Sequence, residues 1–292
     1  MKRFILASLL SVIAFAPNAP AAAPIHVMLI DGQSGGPYHA WRQTTPVLKK
    51  ELEDAGLFEV DVVTSPESGG DFSNFKPEFS KYGAIVLNYD APDWPADLRA
   101  AFEKYVDGGG GVVIVHAADN AFPNWPAFNQ MIGVGGWRDR TEKAGPLWYF
   151  KDGTLTSDTS PGHAGSHGAR LPYQVVTRDP KHPIMKDLPK VWMHVGDELY
   201  ATLRGPGQNM TVLATAHSEA TNKGTDRDEP ALMVLKYGRG RIFHTIMGHD
   251  VAALSCVGFM TTYQRGTEWA ATGKVTQKVP ADFPTADKVS TR

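Results

Sequence analysis

Apolar and polar positions follow two rhythms along this chain, and their order predicts the architecture. Residues 25–30 form a short apolar run that stops at Asp31-Gly32, as a strand buried on both faces does. A glycine-rich loop over 32–39 holds Gln33, Ser34, Tyr38 and His39. Val47, Leu48 and Leu52 then recur at helical spacing within 44–55, with Gly56 as the stop. Residues 58–64 read as a second strand, and 84–87 as a third that runs into Asn88-Tyr89-Asp90. Trp94-Pro95 introduces a helix over 96–107, with Leu98, Phe102 and Val106 on one face. The stretch 108–120, GGGGVVIVHAADN, is the centre of the pattern. Its glycines turn the chain into a core run of Val112, Val113, Ile114 and Val115 that breaks off at His116 and Asp119. A phosphate-cradling loop needs strand, glycines and helix in that order; here the glycines come first, so no nucleotide is expected.

Strand, loop and helix repeated in this way build a doubly wound α/β sheet. The loops at His39, at 88–90 and at 116–120 then follow the carboxyl ends of parallel strands. That places them along one sheet edge, where open α/β sheets bind ligands. After a helix-like 125–132 the rhythm dissolves. Residues 133–170 are rich in glycine, aromatics and histidine with little periodicity, and read as a long insertion or lid. Order returns at 173–177, and 191–200, 212–216, 231–237 and 241–247 read as further strands. Tyr237-Gly238-Arg239-Gly240 serves as a hairpin connection. A last helix contains Glu268 and Trp269. The expected organisation is therefore one domain over 24–275, with an additional β-rich segment, the insertion at about 133–170, and an irregular tail at 276–292.

The first 23 residues obey a different rule. Lys2 and Arg3, an apolar run over 4–16 and small residues ending in Ala21-Ala22-Ala23 read as a secretory signal peptide, which implies an exported, periplasmic protein. That run is too short to span a bilayer and no later one is long enough, so membrane insertion is not expected. A formal net charge of −2 without a basic tract argues against nucleic acid and anionic membrane surfaces as partners. Cys256 is the only cysteine, so no intramolecular disulfide can form and stability must come from packing. Within the apolar stretch 251–260 it reads as a small buried hydrophobe.

Ten histidines are many for a chain of near-zero charge. His116, His194, His244 and His249 fall in or just after predicted strands, with Asp197, Glu198 and Asp250 close by in sequence. Imidazole with carboxylate suits zinc or a similar divalent ion, although no spacing here matches a recognised metal signature. His244 reads as a core histidine, His182 as turn chemistry, and His163 and His167 as solvated. Adjacent strand residues point to opposite faces, so only one of Asp197 and Glu198 can serve a given pocket; Glu198 shares the parity of His194 and is preferred. No Gly-x-Ser-x-Gly elbow occurs, which leaves a serine triad unsupported. The catalytic candidates are His116, Glu198 and Asp119, and the metal-ligand candidates are His39, His116, His194 and His249. Gln33, Tyr38, Asn88 and Asn120 on strand-end loops, with Trp94, Trp125 and Trp137 as stacking platforms, are the candidates for binding a ligand.

The stretches IDGQSGGPYHAWRQTTPVLKKELEDAG, VLNYDAPDWP, YVDGGGGVVIVHAADNAFPNW, HPIMKDLP, WMHVGDELYATLRG, YGRGRIFHTIMGHD and RGTEWAATGKV cover most of the chain after the leader. In them the chain resembles the ThuA-like family, named for trehalose utilisation. The resemblance implies a flavodoxin-like fold similar to class I glutamine amidotransferases and work on disaccharides or keto-sugars. It also marks the regions of His39, His116, Glu198 and His249 as characteristic motifs. The amidotransferase elbow cysteine is replaced within VHAAD, which removes thiolate glutaminase chemistry. The expected function is an exported enzyme acting on a glycoside or keto-sugar by lyase, hydrolase or isomerase chemistry, assisted by a divalent metal, zinc first. The alternative is a non-catalytic sugar-binding or scaffolding protein. In either case the partner is a small carbohydrate, and the oligomeric state is left open.

Overall fold

The computed structural model describes residues 23–292, so the leader expected over 1–23 lies outside the described residues except for Ala23. The first half is a parallel sheet: β1 (Ile25–Asp31), β2 (Phe58–Thr64), β3 (Ala84–Leu87) and β4 (Gly111–Val115), in spatial order β2-β1-β3-β4. This is the flavodoxin-like order, and chain direction across the sheet reverses between β1 and β3. The connecting helices are α1 (Trp41–Asp54) and α2 (Ala96–Asp107), and α3 (Pro126–Ile132) follows β4. Alternate residues of β1 go to opposite faces. Val27 and Leu29 join the core that holds Leu48 and Leu52 of α1, whereas Met28 and Ile30 join the core that holds Phe102 of α2 and Phe128 of α3.

The second half extends the same sheet. Its strands are β5 (Leu147–Lys151), β6 (Thr154–Asp158), β7 (Leu171–Thr177), β8 (Val191–Asp197), β9 (Thr211–Ser218), β10 (Arg227–Tyr237) and β11 (Gly240–Thr245). β11 lies parallel to β4, and β10, β9, β7 and β8 follow outward in antiparallel pairs. The two-residue turn Gly238-Arg239 joins β10 to β11 with Tyr237 opposite Gly240, as its sequence predicts. The long insertion is more regular than its composition suggests, because β5 and β6 form a hairpin within it. Asp152 and Gly153, with φ of 52° and 77°, close its two-residue turn, and Asp-Gly after the aromatic run Trp148-Tyr149-Phe150 is the signal for it.

Successive antiparallel pairings give β8 the same direction as β1, β3, β4 and β11, so its carboxyl end reaches the same sheet edge. The three strands between them, β10, β9 and β7, would still hold it away from β11 if the sheet were flat. The helix α5 (Val257–Thr272), entered through the short α4 (Val251–Leu254), closes this gap. Gly258, Thr262, Gly266 and Ala270 repeat every four residues and give it a face of small side chains. A Cβ on Gly258 would stand 2.2 Å from the Trp192 ring of β8, and one on Gly266 2.2 Å from the Phe243 ring of β11. On β4, a Cβ on Gly111 would stand 2.6 Å from the Ala270 backbone. One helix thus seats against β4, β11 and β8 at backbone distance, and the sheet curls around it.

Gly266→Ala is expected to lower stability by about 1–3 kcal/mol, because Phe243 is fully buried and has nowhere to retreat. Urea unfolding measures this; an unchanged midpoint would show that the close seat on β11 does not matter.

Candidate metal centre

Four side chains converge at the carboxyl edge of the sheet. His39 comes from the loop between β1 and α1, His116 directly follows β4, Glu198 directly follows β8, and His249 lies between β11 and α4. One donor atom from each lies within 4.8 Å of every other, and among the described residues this is the one group of three or more His, Cys, Asp or Glu so placed. His249 Nδ1 is 3.1 Å, and His116 Nε2 3.8 Å, from Glu198 Oε2.

Two of the histidines, His116 and His39, are oriented from behind. His116 Nδ1–H donates to the Ile246 carbonyl at 2.6 Å, leaving Nε2 buried with no hydrogen-bond partner. His39 Nδ1–H donates to the Ser34 carbonyl at 3.3 Å, leaving the lone pair on Nε2. His116 also carries a φ of 45°, a left-handed conformation in which a non-glycine residue is strained and which is typical of functional elbows. Burial, together with the like charges of His116 and His249, pushes the His39 imidazole down to about 3, so it is neutral. Burial would raise the Glu198 carboxyl, but hydrogen bonding to His116 and His249 outweighs burial and holds it well below the usual carboxylate range. His116 shows the opposite balance: burial lowers it, while Glu198, Asp197 and the Ile246 carbonyl raise it further. The result is an anionic oxygen among three imidazoles. His116 Nε2 and His249 Nδ1 are buried and have no hydrogen-bond partner apart from the Glu198 carboxylate, and three nitrogens with one carboxylate oxygen fit a zinc-type cation.

Asp197 holds the frame. It is buried, and its carboxylate accepts four hydrogen bonds: from His194 Nε2 at 2.9 Å, Glu198 N at 2.8 Å, Gly248 N at 2.8 Å and His249 N at 3.2 Å. One side chain therefore ties the end of β8 to the segment after β11, and with it Glu198 to His249. Burial would lower the His194 imidazole, but the hydrogen bond to Asp197 and its neighbours raise it to about 9; Asp197 is held below its ordinary value by the same partner, against its own burial.

Two of the four donors, His39 and Glu198, line a cavity of about 390 Å³, within the ~300–1,000 Å³ usual for small-molecule sites. Tyr38, Trp137 and Tyr200 supply aromatic surface, and Asp90, Asn120, Arg138 and His167 supply polar groups. Arg138 donates to Asp90 at 2.5 Å.

The structure thus brings His39, His116, Glu198, His249, Tyr38, Asn120 and Trp137 together and separates the remaining candidates. His194 is not in the donor set: it is fully buried, with Nε2 on Asp197 and its ring 5.2 Å from that of Tyr173. The parity argument for Glu198 fails with it, since β8 ends at Asp197 and Glu198 belongs to the following turn. Asp119 is fully buried with its carboxylate 3.6 Å from His244 Nε2, so it cannot meet a ligand in this cavity. Trp94 and Trp125 are core residues packed with Phe102 and Phe122, because they face the sheet beneath α2. Asn88 donates to Thr44 and Thr45 of α1, and Gln33 to the Pro66 carbonyl, so both brace loops outside the cavity lining. Tyr200, His167, Asp90 and Arg138 were missed as site residues. Tyr200 lies beyond the end of β8, where strand alternation no longer applies, and His167 and Arg138 lie in the insertion, where no periodicity points inward.

The family model described as ThuA, trehalose utilisation, matches residues 26–270. Among solved structures, a ThuA-like protein from Parabacteroides merdae is 48% identical, with a TM-score of 0.89 over 92% of this chain and 98% of that one. A ThuA-like protein from Bacteroides uniformis is 21% identical, with a TM-score of 0.61 over 90% and 97% of the two chains; it shares the fold. A cytoplasmic protein from Salmonella typhimurium, STM3548, is 13% identical with a TM-score of 0.51 over 84% and 98%, and again shares the fold. No curated protein matches the chain. No helix among the described residues is long and apolar enough to cross a membrane.

Asp197→Asn replaces an acceptor-only carboxylate with a group that turns N–H toward backbone N–H. Its affinity for Zn²⁺ is expected to fall by roughly 10–100-fold, as for other groups that orient metal ligands, measured by competition with a chromophoric chelator. His194 gives a pH signature. Its imidazole is raised from 6.5 to about 9 on folding, so its stabilising protonation is complete below pH 6.5 and is lost as pH rises through 9. The unfolding free energy of the metal-free protein should therefore decline across that window, and His194→Gln should flatten the decline; parallel curves would remove the ion pair from the account.

Proposed function

This chain belongs to the ThuA, trehalose utilisation, family, and we propose that it is a divalent-metal-dependent enzyme of sugar metabolism acting on a glycoside or keto-sugar. The observation that carries this reading is the convergence of His39, His116, Glu198 and His249 at an aromatic and polar cavity that His39 and Glu198 line. Zinc suits the donor set best, and when bound it would supply Lewis-acid polarisation of a sugar carbonyl or hydroxyl.

The chain's own residues account for the rest. Trp137 and Tyr200, with ring centroids 4.5 Å apart, offer an aromatic wall to the C–H face of a sugar ring. Asp90 and Asn120 present oxygens to sugar hydroxyls, and Arg138 holds Asp90 in place. With Glu198 committed to the donor set and Asp119 buried against His244, the proton-moving role passes to His167. Its Nε2 lies 3.8 Å from Glu198 Oε2, and it is the imidazole on the open side of the cavity. Proton transfer beside a polarised carbonyl is common to the lyase, hydrolase and isomerase readings. An exported, periplasmic location, proposed from the leader-like residues 1–23, would give the protein access to sugars outside the cytoplasm.

Elemental analysis of protein purified without chelators or a polyhistidine tag is expected to find near-stoichiometric zinc, reduced in His116→Ala and His249→Ala. The loaded wild type should turn over a keto-disaccharide, and His167→Ala should lower kcat by roughly 10²–10⁴-fold with metal retained. Absence of metal in every preparation, with reconstitution also failing and sugars binding without turnover, would instead favour a non-catalytic sugar-binding protein.

A further inference from the structure

Tyr200 has no role in holding the four donors, yet it touches two of them. Its hydroxyl lies 3.1 Å from His39 Nε2, and its ring packs on His116 with centroids 4.1 Å apart and the planes tilted by 32°. Trp137 covers the same ring from the cavity side, and the residue is almost wholly buried. The ring is therefore clamped, and the remaining freedom is rotation of the O–H bond about C–O. The tautomer of His39 decides which way that hydrogen points. Nδ1–H is used by the Ser34 carbonyl, so Nε2 carries the lone pair and Tyr200 must be the donor. That lone pair is also the one His39 would offer to a cation, since its other nitrogen is protonated and occupied. One lone pair cannot serve both.

We propose that the Tyr200 hydroxyl is a latch on His39 that a bound cation opens, and that the freed O–H becomes the hydrogen-bond donor to a carbonyl or hydroxyl oxygen of a sugar in the cavity. The inference rests on the metal-dependent reading above and adds a residue to it. Without a cation, the latch satisfies two buried groups, a phenol and an imidazole nitrogen, that would otherwise lack partners. Once the cation takes Nε2, the phenol loses its acceptor. Its ring cannot swing away, and the cavity it lines is where a new acceptor arrives. The side-chain oxygen of Asn120 in the same lining is buried without a partner, so it is the acceptor inside the protein with which a sugar oxygen competes. His39 Nε2 would form one coordination bond to the cation, the Tyr200–His39 hydrogen bond would be exchanged for one to the ligand, and no covalent bond is made or broken. Tyr200 remains a neutral phenol, because burial and the nearby carboxylates Asp119 and Glu198 push its ionisation well above the ordinary range.

Tyr200→Phe keeps the packed ring and removes the latch. If the phenol competes with the cation for His39, the variant binds Zn²⁺ more tightly than wild type, by roughly two- to tenfold, the worth of one hydrogen bond. The visible spectrum of the Co²⁺-loaded protein and the melting temperature should be the same in both. If the freed O–H serves the ligand, the Zn²⁺-loaded variant binds dihydroxyacetone, the smallest keto-sugar with a free carbonyl, roughly three- to tenfold more weakly. Equal or weaker Zn²⁺ affinity in the variant overturns the latch. Equal affinity for dihydroxyacetone, or no binding of it by wild type, overturns the donor role. A wild type that takes up no Zn²⁺ overturns the metal reading itself, which separates that failure from failure of the latch.

Discussion

A single buried carboxylate carries the geometry of this molecule's candidate site. Asp197 accepts from His194, Glu198, Gly248 and His249, and three of those four donors are backbone amides. An anion removed from water is tolerated only when its lone pairs are filled and a counter-charge stands beside it, and here amides fill the lone pairs while His194 is the counter-charge. The requirement acts in both directions. The chain ends after β8 and β11 must come together to satisfy Asp197, and by coming together they place Glu198 against His249. The energetic demand of one buried charge thus becomes a distance constraint between two side chains of the donor cluster.

That constraint can be met because the sheet is curved, and the sheet is curved because α5 has a smooth face. Gly258, Gly266 and Ala270 let Trp192, Phe243 and the Gly111 backbone approach the helix where larger side chains would hold them off. The parallel half of the sheet then supplies two histidines from loops that already open at its carboxyl edge. His116 is delivered by a strained residue: a φ of 45° turns its side chain out of the β4 line at the position where related α/β folds present a nucleophile. Strain at this point persists because the strand on one side and the Ile246 carbonyl on the other over-determine it.

The cluster is electrostatically mixed before any ligand arrives. Glu198 is anionic, His39 neutral, and His116 pulled toward its cation by the carboxylates behind and beside it. A cation entering such a site meets a fixed negative oxygen and, in His39 and His116, imidazoles already oriented by carbonyls at their far sides. The adjoining cavity is partly aromatic and partly polar, which suits a sugar's C–H faces and hydroxyls. Fold alone would not support that reading. The same sheet recurs in structures 13–21% identical to this one, and function resides in the particular side chains that line the edge.

Local rhythm in the sequence was enough to order the first four strands and both early helices, to expose the hairpin turn at Gly238-Arg239, and to put His39 and His116 on one edge; His249 joined them through the family resemblance. Apart from that last step, each of these depends on neighbours within about a dozen residues, or on the rule that parallel strands open their loops on the same side. His194 shows where that reasoning ends. It sits three residues from Asp197 on β8, a residue of the right type in the right neighbourhood, yet it points into the core as a counter-charge while Glu198, one residue past the strand, turns to the site. Trp94, Trp125 and Asp119 likewise have the chemistry of ligand-binding residues and the positions of packing residues. Tyr200, His167 and Arg138 come to the cavity from the turn after β8 and from an insertion without periodicity. The sequence by itself therefore determined the sheet, its order of elements and the edge at which chemistry gathers, because these follow from local pattern and chain handedness. Which histidines and acids meet was decided only by the tertiary structure, because that depends on how far the sheet curls around α5 and on which buried charge must find its partner.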